Sequence, residues 1–144
     1  MGTAIGFSNA QTVNEAEVPD RVKAEFTKQY PTTKVDNWEK EGANYEAEFK
    51  VNNVETSAIY DERGKFIQTE TEINVTELPP AVTEYITKNL AGKNTTEAEK
   101  ITDASGMVSY EAEVDNAEYL FDSKGSFVRK EMEEQDDMNE KDDD

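Results

Sequence analysis

Apolar positions along this chain alternate between two spacings, and the alternation happens twice. In Val18–Tyr30 (VPDRVKAEFTKQY), Val22, Phe26 and Tyr30 fall four apart; in Leu78–Leu90 (LPPAVTEYITKNL), Val82, Ile86 and Leu90 do the same. That is the spacing of one face of a helix. Proline opens each stretch, where its missing N–H costs nothing. Pro31 stops the first helix and Gly92 can cap the second. Both helices are too short to be stable alone, so each predicts a surface to lie on. Elsewhere the spacing is two. Asn52-Asn53 reads as a two-residue hairpin turn, because Asn tolerates the positive φ such turns need. Pairing across it sets Val51 opposite Val54, Phe49 opposite Thr56, Ala47 opposite Ala58 and Tyr45 opposite Tyr60, all on one face. Asp115-Asn116 does the same for Val114 and Ala117, Ala112 and Tyr119, and Tyr110 and Phe121.

The helical blocks are sixty residues apart, and further blocks recur in the same order. Tyr45-Glu46-Ala47-Glu48 returns as Tyr110-Glu111-Ala112-Glu113. Asp61-Glu62-Arg63-Gly64-Lys65-Phe66 returns as Asp122-Ser123-Lys124-Gly125-Ser126-Phe127. The order argues for an internal repeat. The Asp-x-x-Gly segments close a second hairpin in each copy, pairing Tyr60 with Phe66 and Phe121 with Phe127. A preceding strand near Val35–Lys40, and another near Thr96–Thr102, completes each copy. Val35-x-x-Trp38 parallels Ala98-x-x-Ile101, which favours a core position for Trp38. The expected fold class is α+β, with two tandem repeats, each a helix packed on a four-stranded antiparallel meander sheet. The expected divisions are an N-terminal extension (1–17), repeat one (18–73), repeat two (74–132) and an acidic tail (133–144).

The same register fixes what points away from the helices. Glu46 lies near Ile59 and Ile59 near Ile67; Glu111 lies near Leu120 and Leu120 near Val128. A solvated sheet face alternates fully to polar residues, so two matched aliphatic pairs predict a contact surface. Its apolar centre is Ile59, Ile67, Leu120 and Val128, with Glu46, Glu48, Glu111 and Glu113 around it. Taken singly, each aliphatic residue is equally well an ordinary strand residue of good β propensity.

Charge narrows the functions available. The formal net charge is −18, with 33 acidic against 15 basic residues. Nine acidic residues and one Lys fall in 131–144, which carry no aromatic or β-branched side chain. Such a segment cannot offset its ordering entropy, so the tail is expected to be disordered. No clustered Lys/Arg surface is visible, which argues against nucleic acid. No stretch approaches a membrane span. The sequence has neither Cys nor His. Disulfides, zinc centres of the usual kind, thiol nucleophiles and His-based triads are therefore excluded. Glu46/Glu48 and Glu111/Glu113 each share a strand face, but acid–base chemistry would need partly buried, differing environments. On an open face they read as solvated surface. Calcium could use such acids, or Asp136, Asp137, Asp142, Asp143 and Asp144, although the EF-hand pattern is absent. Asn74-Val75-Thr76 and Asn94-Thr95-Thr96 match the glycosylation sequon, a short motif frequent by chance. Ala4-Ile5-Gly6-Phe7 followed by Ser8-Asn9-Ala10 reads as the end of an export signal with Gln11 as a mature start, or equally as an ordinary N-terminal segment, since no basic region or full apolar stretch precedes it.

Trp38-Glu39-Lys40, Tyr45–Phe49, Tyr60-Asp61 and Gly64 resemble the PepSY-like family of exported bacterial proteins, as do Tyr110–Val114, Phe121-Asp122 and Gly125. That family is related in architecture to β-lactamase inhibitor proteins, and the resemblance covers about residues 18 to 132. It implies a periplasmic or secreted protein that binds or inhibits another protein. Together the readings predict a non-catalytic binding module without cofactor or bound metal, whose partner is an unidentified protein. An acidic, calcium-binding protein is the alternative.

Overall fold

The structure, a computed structural model, describes residues 10–132. The export-signal reading of residues 1–9 and the disordered-tail reading of 133–144 lie outside the described residues. Nine antiparallel strands follow one another in sheet order as in sequence: β1 (Gln11–Val13), β2 (Asn37–Glu41), β3 (Asn44–Val51), β4 (Val54–Asp61), β5 (Phe66–Ile73), β6 (Thr95–Asp103), β7 (Val108–Val114), β8 (Ala117–Phe121) and β9 (Phe127–Met132). Helix α1 (Asp20–Gln29) connects β1 to β2, and α2 (Pro80–Asn89) connects β5 to β6.

This architecture corrects the expected fold. The chain does not build two four-stranded sheets, one beneath each helix. It builds a single nine-stranded sheet, because β5 and β6 pair from Gln68↔Asp103 to Ile73↔Ala98. A free β5 edge would leave a row of unpaired N–H and C=O groups, and β6 satisfies them. The segment before the first helix adds a strand as well, with Gln11–Val13 pairing with Lys40–Trp38.

The tight turns do what their sequences dictate. Asn52, Asn53, Asp115 and Asn116 all adopt positive φ, between 53° and 69°, and every pair expected across them is present. Asp61 Oδ1 accepts hydrogen bonds from the N–H groups of Arg63 (2.8 Å) and Lys65 (2.9 Å). Asp122 does the same for Lys124 and Ser126. A third turn of this kind, Asp103-x-x-Gly106, joins β6 to β7, with Asp103 Oδ1 accepting from Ser105 and Met107. Before each helix, a carboxylate reaches back to the chain: Asn14 N–H donates to Glu17 and Asn74 N–H to Glu77. Asn74, read above within a sequon, thus opens the 3₁₀ turn Val75–Glu77.

Both helices lie on the same side of the sheet. Val22 and Phe26 of α1 bury against Trp38, Tyr45, Ala47, Phe49, Ala58 and Tyr60. Val82 and Ile86 of α2 bury against Ala98, Ala112, Val114, Ala117, Tyr119 and Phe121. The small pairs Ala47↔Ala58 and Ala98↔Ala112 leave room for a helix to approach. Trp38 is in the core, edge-on to Phe26 at 6.0 Å. Its counterpart is Ala98 rather than Ile101: Trp38 pairs with Ala47 as Ala98 pairs with Ala112. Ile101 pairs with Ser109 and Glu70, which puts it on the opposite face.

Candidate functional site

The face away from the helices holds the chemistry. Strand pairing puts Asn37, Glu39 and Glu41 of β2 across from Glu48, Glu46 and Asn44 of β3. The same face continues through Ser57 and Ile59 (β4), Glu70 and Glu72 (β5), Glu99 and Ile101 (β6), Glu111 and Glu113 (β7), and Glu118 and Leu120 (β8). No helix covers it, yet Glu41, Glu46, Glu70, Glu99 and Glu111 are buried, and Ile59 has no exposed surface. The reason is curvature. The charge of Glu118 on β8 helps raise the pKa of Glu41 on β2. In a flat sheet those strands would stand roughly 29 Å apart, at about 4.8 Å per strand. The sheet is therefore rolled toward its carboxylates.

Burial of these carboxylates has a clear electrostatic result. Desolvation is the main cause at every site, with neighbouring carboxylates adding to it. Burial pushes Glu46 up to about 10, with the charges of Glu70 and Glu41 adding to it. Burial pushes Glu41 to about 7, and Glu99 to about 7. Glu111 is driven well above the carboxylate range by burial and by Glu118, Glu99 and Glu70. Neither carboxylate oxygen of Glu46 has a hydrogen-bond partner, and Glu41, Glu99 and Glu111 each keep one buried oxygen without one. Among the described residues no Lys or Arg forms an ion pair with Glu39, Glu41, Glu46 or Glu48.

Two carboxylate clusters result. On β2 and β3, one oxygen each from Glu39, Glu46 and Glu48 lies within 4.8 Å of the others. The Asn37 amide donates to both outer members, at 3.4 Å to Glu39 and 3.2 Å to Glu48. On β6 to β8, Glu97, Glu99, Glu111, Glu113 and Glu118 line a crevice of about 10 Å³, room for a single water or ion.

Of the residues singled out in the sequence, Glu46, Glu48, Glu111 and Glu113 share this face, the first and third buried and the other two half-buried. Ile59 and Leu120 share it too, paired with Glu46 and Glu111 as expected. Their other neighbours differ from the expected ones. A β-bulge after Ile59 pairs it with Gln68, and a bulge after Leu120 pairs that residue with Arg129. Ile67 and Val128 are the displaced residues, half-buried and 48% exposed respectively. Hairpin reading missed Glu39, Glu41, Glu70 and Glu99, because it assigned no register to β2 or β6 and, without the bulge, put Glu70 of β5 on the other face. Their signal was available as Glu at every second position in Glu39/Glu41, Glu70/Glu72 and Glu97/Glu99. Glu118 lies across from Glu113 on a strand whose register was read, and went unremarked.

Fold and site together define an α+β protein built on one rolled antiparallel sheet, with helices on its convex side and carboxylates within its curve. The chain belongs to the PepSY-like family: the family model described as "Putative beta-lactamase-inhibitor-like, PepSY-like" matches residues 7–68 and again 52–129. Three solved structures share the fold. A DUF2874 family protein from Bacteroides uniformis is 24% identical with a TM-score of 0.69, over 78% of this chain and 87% of that one. A protein from Bacteroides eggerthii, described as a "putative periplasmic" protein, is 21% identical with a TM-score of 0.70, over 79% and 88%. A BLIP-like protein from Bacteroides fragilis is 21% identical with a TM-score of 0.63, over 88% and 91%. No curated protein matches the sequence.

Proposed function

We propose that this chain is a non-catalytic binding protein of the bacterial envelope, which takes a positively charged ligand on the carboxylate-lined face of its sheet. One observation carries the reading. Several glutamates are buried side by side with no cation among the described residues to pair with Glu39, Glu41 or Glu46. Removing a carboxylate from water costs several kcal/mol unless it is compensated. Folding gains nothing from that arrangement, whereas a binding surface does, at the familiar expense in stability. An envelope location fits the description of the Bacteroides eggerthii relative.

The test is calorimetric titration of the full chain with calcium chloride and, separately, with an oligolysine peptide. At least one is expected to bind wild type and to bind Glu46→Gln/Glu111→Gln more weakly. Failure of both probes against wild type at neutral pH would end this reading.

A protein partner at β9 is the second reading, favoured by Phe127 and Val128, which are 40% and 48% exposed. A pull-down from envelope extract should lose its captured protein with Val128→Glu. Equal capture by the folded variant would remove β9 from consideration.

A further inference from the structure

We infer that Glu39, Glu46 and Glu48 form a binding site for one hard divalent cation, calcium in preference to magnesium. The inference rests on the reading of this face as a cation-binding surface and assigns it a ligand and a place.

Three features converge on that site. The first is geometry. Glu39 and Glu46 are directly opposed across β2 and β3, and Glu48 is the next residue on the same face of β3. One oxygen from each lies within 4.8 Å of the other two, so all three can reach a common point. The second is Glu46 itself. It is 1% exposed, neither of its oxygens has a hydrogen-bond partner, and among the described residues no Lys or Arg pairs with it. Both oxygens are therefore open to a small ion shared with the two neighbouring carboxylates. The third is Asn37, whose amide donates to both Glu39 and Glu48. It holds the two half-buried carboxylates as jaws over the buried one, fixing their orientation by hydrogen bonds from its amide.

The donors decide the ion. They are all carboxylate oxygens, which suit hard cations. Magnesium gives up its water reluctantly and is usually held by one or two carboxylates, whereas calcium takes several carboxylate oxygens in a flexible shell. Three carboxylates that can reach one point therefore favour calcium. Water completes its shell on the open side. Protons compete for the same oxygens, so binding releases protons and strengthens as pH rises.

The experiment uses the full chain, stripped with chelator and titrated with calcium chloride by calorimetry and by thermal melting. The variants are Glu46→Gln, Glu39→Gln/Glu48→Gln and, as a control in the other cluster, Glu111→Gln. All keep the acidic tail, so calcium held there is common to every titration. Expected results are one calcium per chain and affinity falling roughly tenfold or more between pH 7.5 and pH 5.5. Glu46→Gln should bind roughly tenfold or more weakly, Glu111→Gln should bind as wild type, and magnesium should bind less tightly than calcium. Unchanged affinity in folded Glu46→Gln would mean calcium sits elsewhere, on the tail or in the crevice lined by Glu97, Glu111 and Glu118, and would overturn the site. So would absence of binding in wild type at about 10 mM calcium, far above the range of known calcium modules. If oligolysine binds while calcium does not, this site fails and the wider reading of the face stands. If neither binds, both fail.

Discussion

Gly64 shows how much one missing side chain can carry. Its φ is +90°, and a Cβ there would sit 2.7 Å from the Arg21 carbonyl oxygen in the first turn of α1. Gly125 repeats the arrangement against Ala81 of α2, at 2.8 Å. Each Asp-x-x-Gly loop is thus both a turn and the dock for a helix start. Gly64→Ala should cost about 2 kcal/mol or more, adding steric overlap to left-handed strain. Gly42→Ala, at +62° but with nothing within 4 Å, should cost only the left-handed preference, roughly 1 kcal/mol. Urea unfolding of the two variants checks the difference, and equal losses would show that the contact with Arg21 is irrelevant. The turn role of Gly64 was legible in the sequence from Asp61 three residues before it. The docking role was not, because it depends on where α1 comes to rest.

At the level of hairpins, local chemistry decided the outcome. Positive φ at Asn52 and Asn53 closes β3 onto β4, and one residue of slip would exchange the core row Tyr45, Ala47 and Phe49 for Glu46 and Glu48. Glycine adopts the second turn position at lower cost than asparagine. Asn53→Gly and Asn116→Gly should each therefore raise stability by a few tenths of a kcal/mol, additively, since the turns are independent. A loss of stability in denaturant melts would mean that the Asn side chains do more than tolerate the turn. Pairings set by two-residue turns were readable in advance. The β5–β6 pairing was not, because α2 intervenes and no tight turn sets the register. The bulges after Ile59 and Leu120 were also hidden, since the Asp-x-x-Gly loops beside them admit either alignment. Ile67 and Val128 shift for that reason.

For the molecule as a whole, the rolled carboxylate face sets the response to pH. A carboxyl with a folded-state pKa above its unfolded value contributes stability that is complete below about pH 4.5. That contribution is lost as pH rises through about 7 for Glu41 and Glu99, and through about 10 for Glu46. In the presence of chelator, the melting temperature should fall by roughly 5–10 °C between pH 5 and pH 8. Glu46→Gln, which stays neutral, should flatten part of that decline. A melting temperature flat across this range would mean that the face is not desolvated in solution. The carboxylates could be counted in the sequence, but their burial could not, because it arises only when all the strands join and curl. Joining has one more outcome. Ile73 forms the last rung that β5 shares with β6 and Asn74 lies just past it, and a break between them would give two fragments, each presenting a bare strand border to the other. Such fragments, expressed separately, have every reason to find one another and zip up along that border, making this protein a natural scaffold for split-reporter complementation.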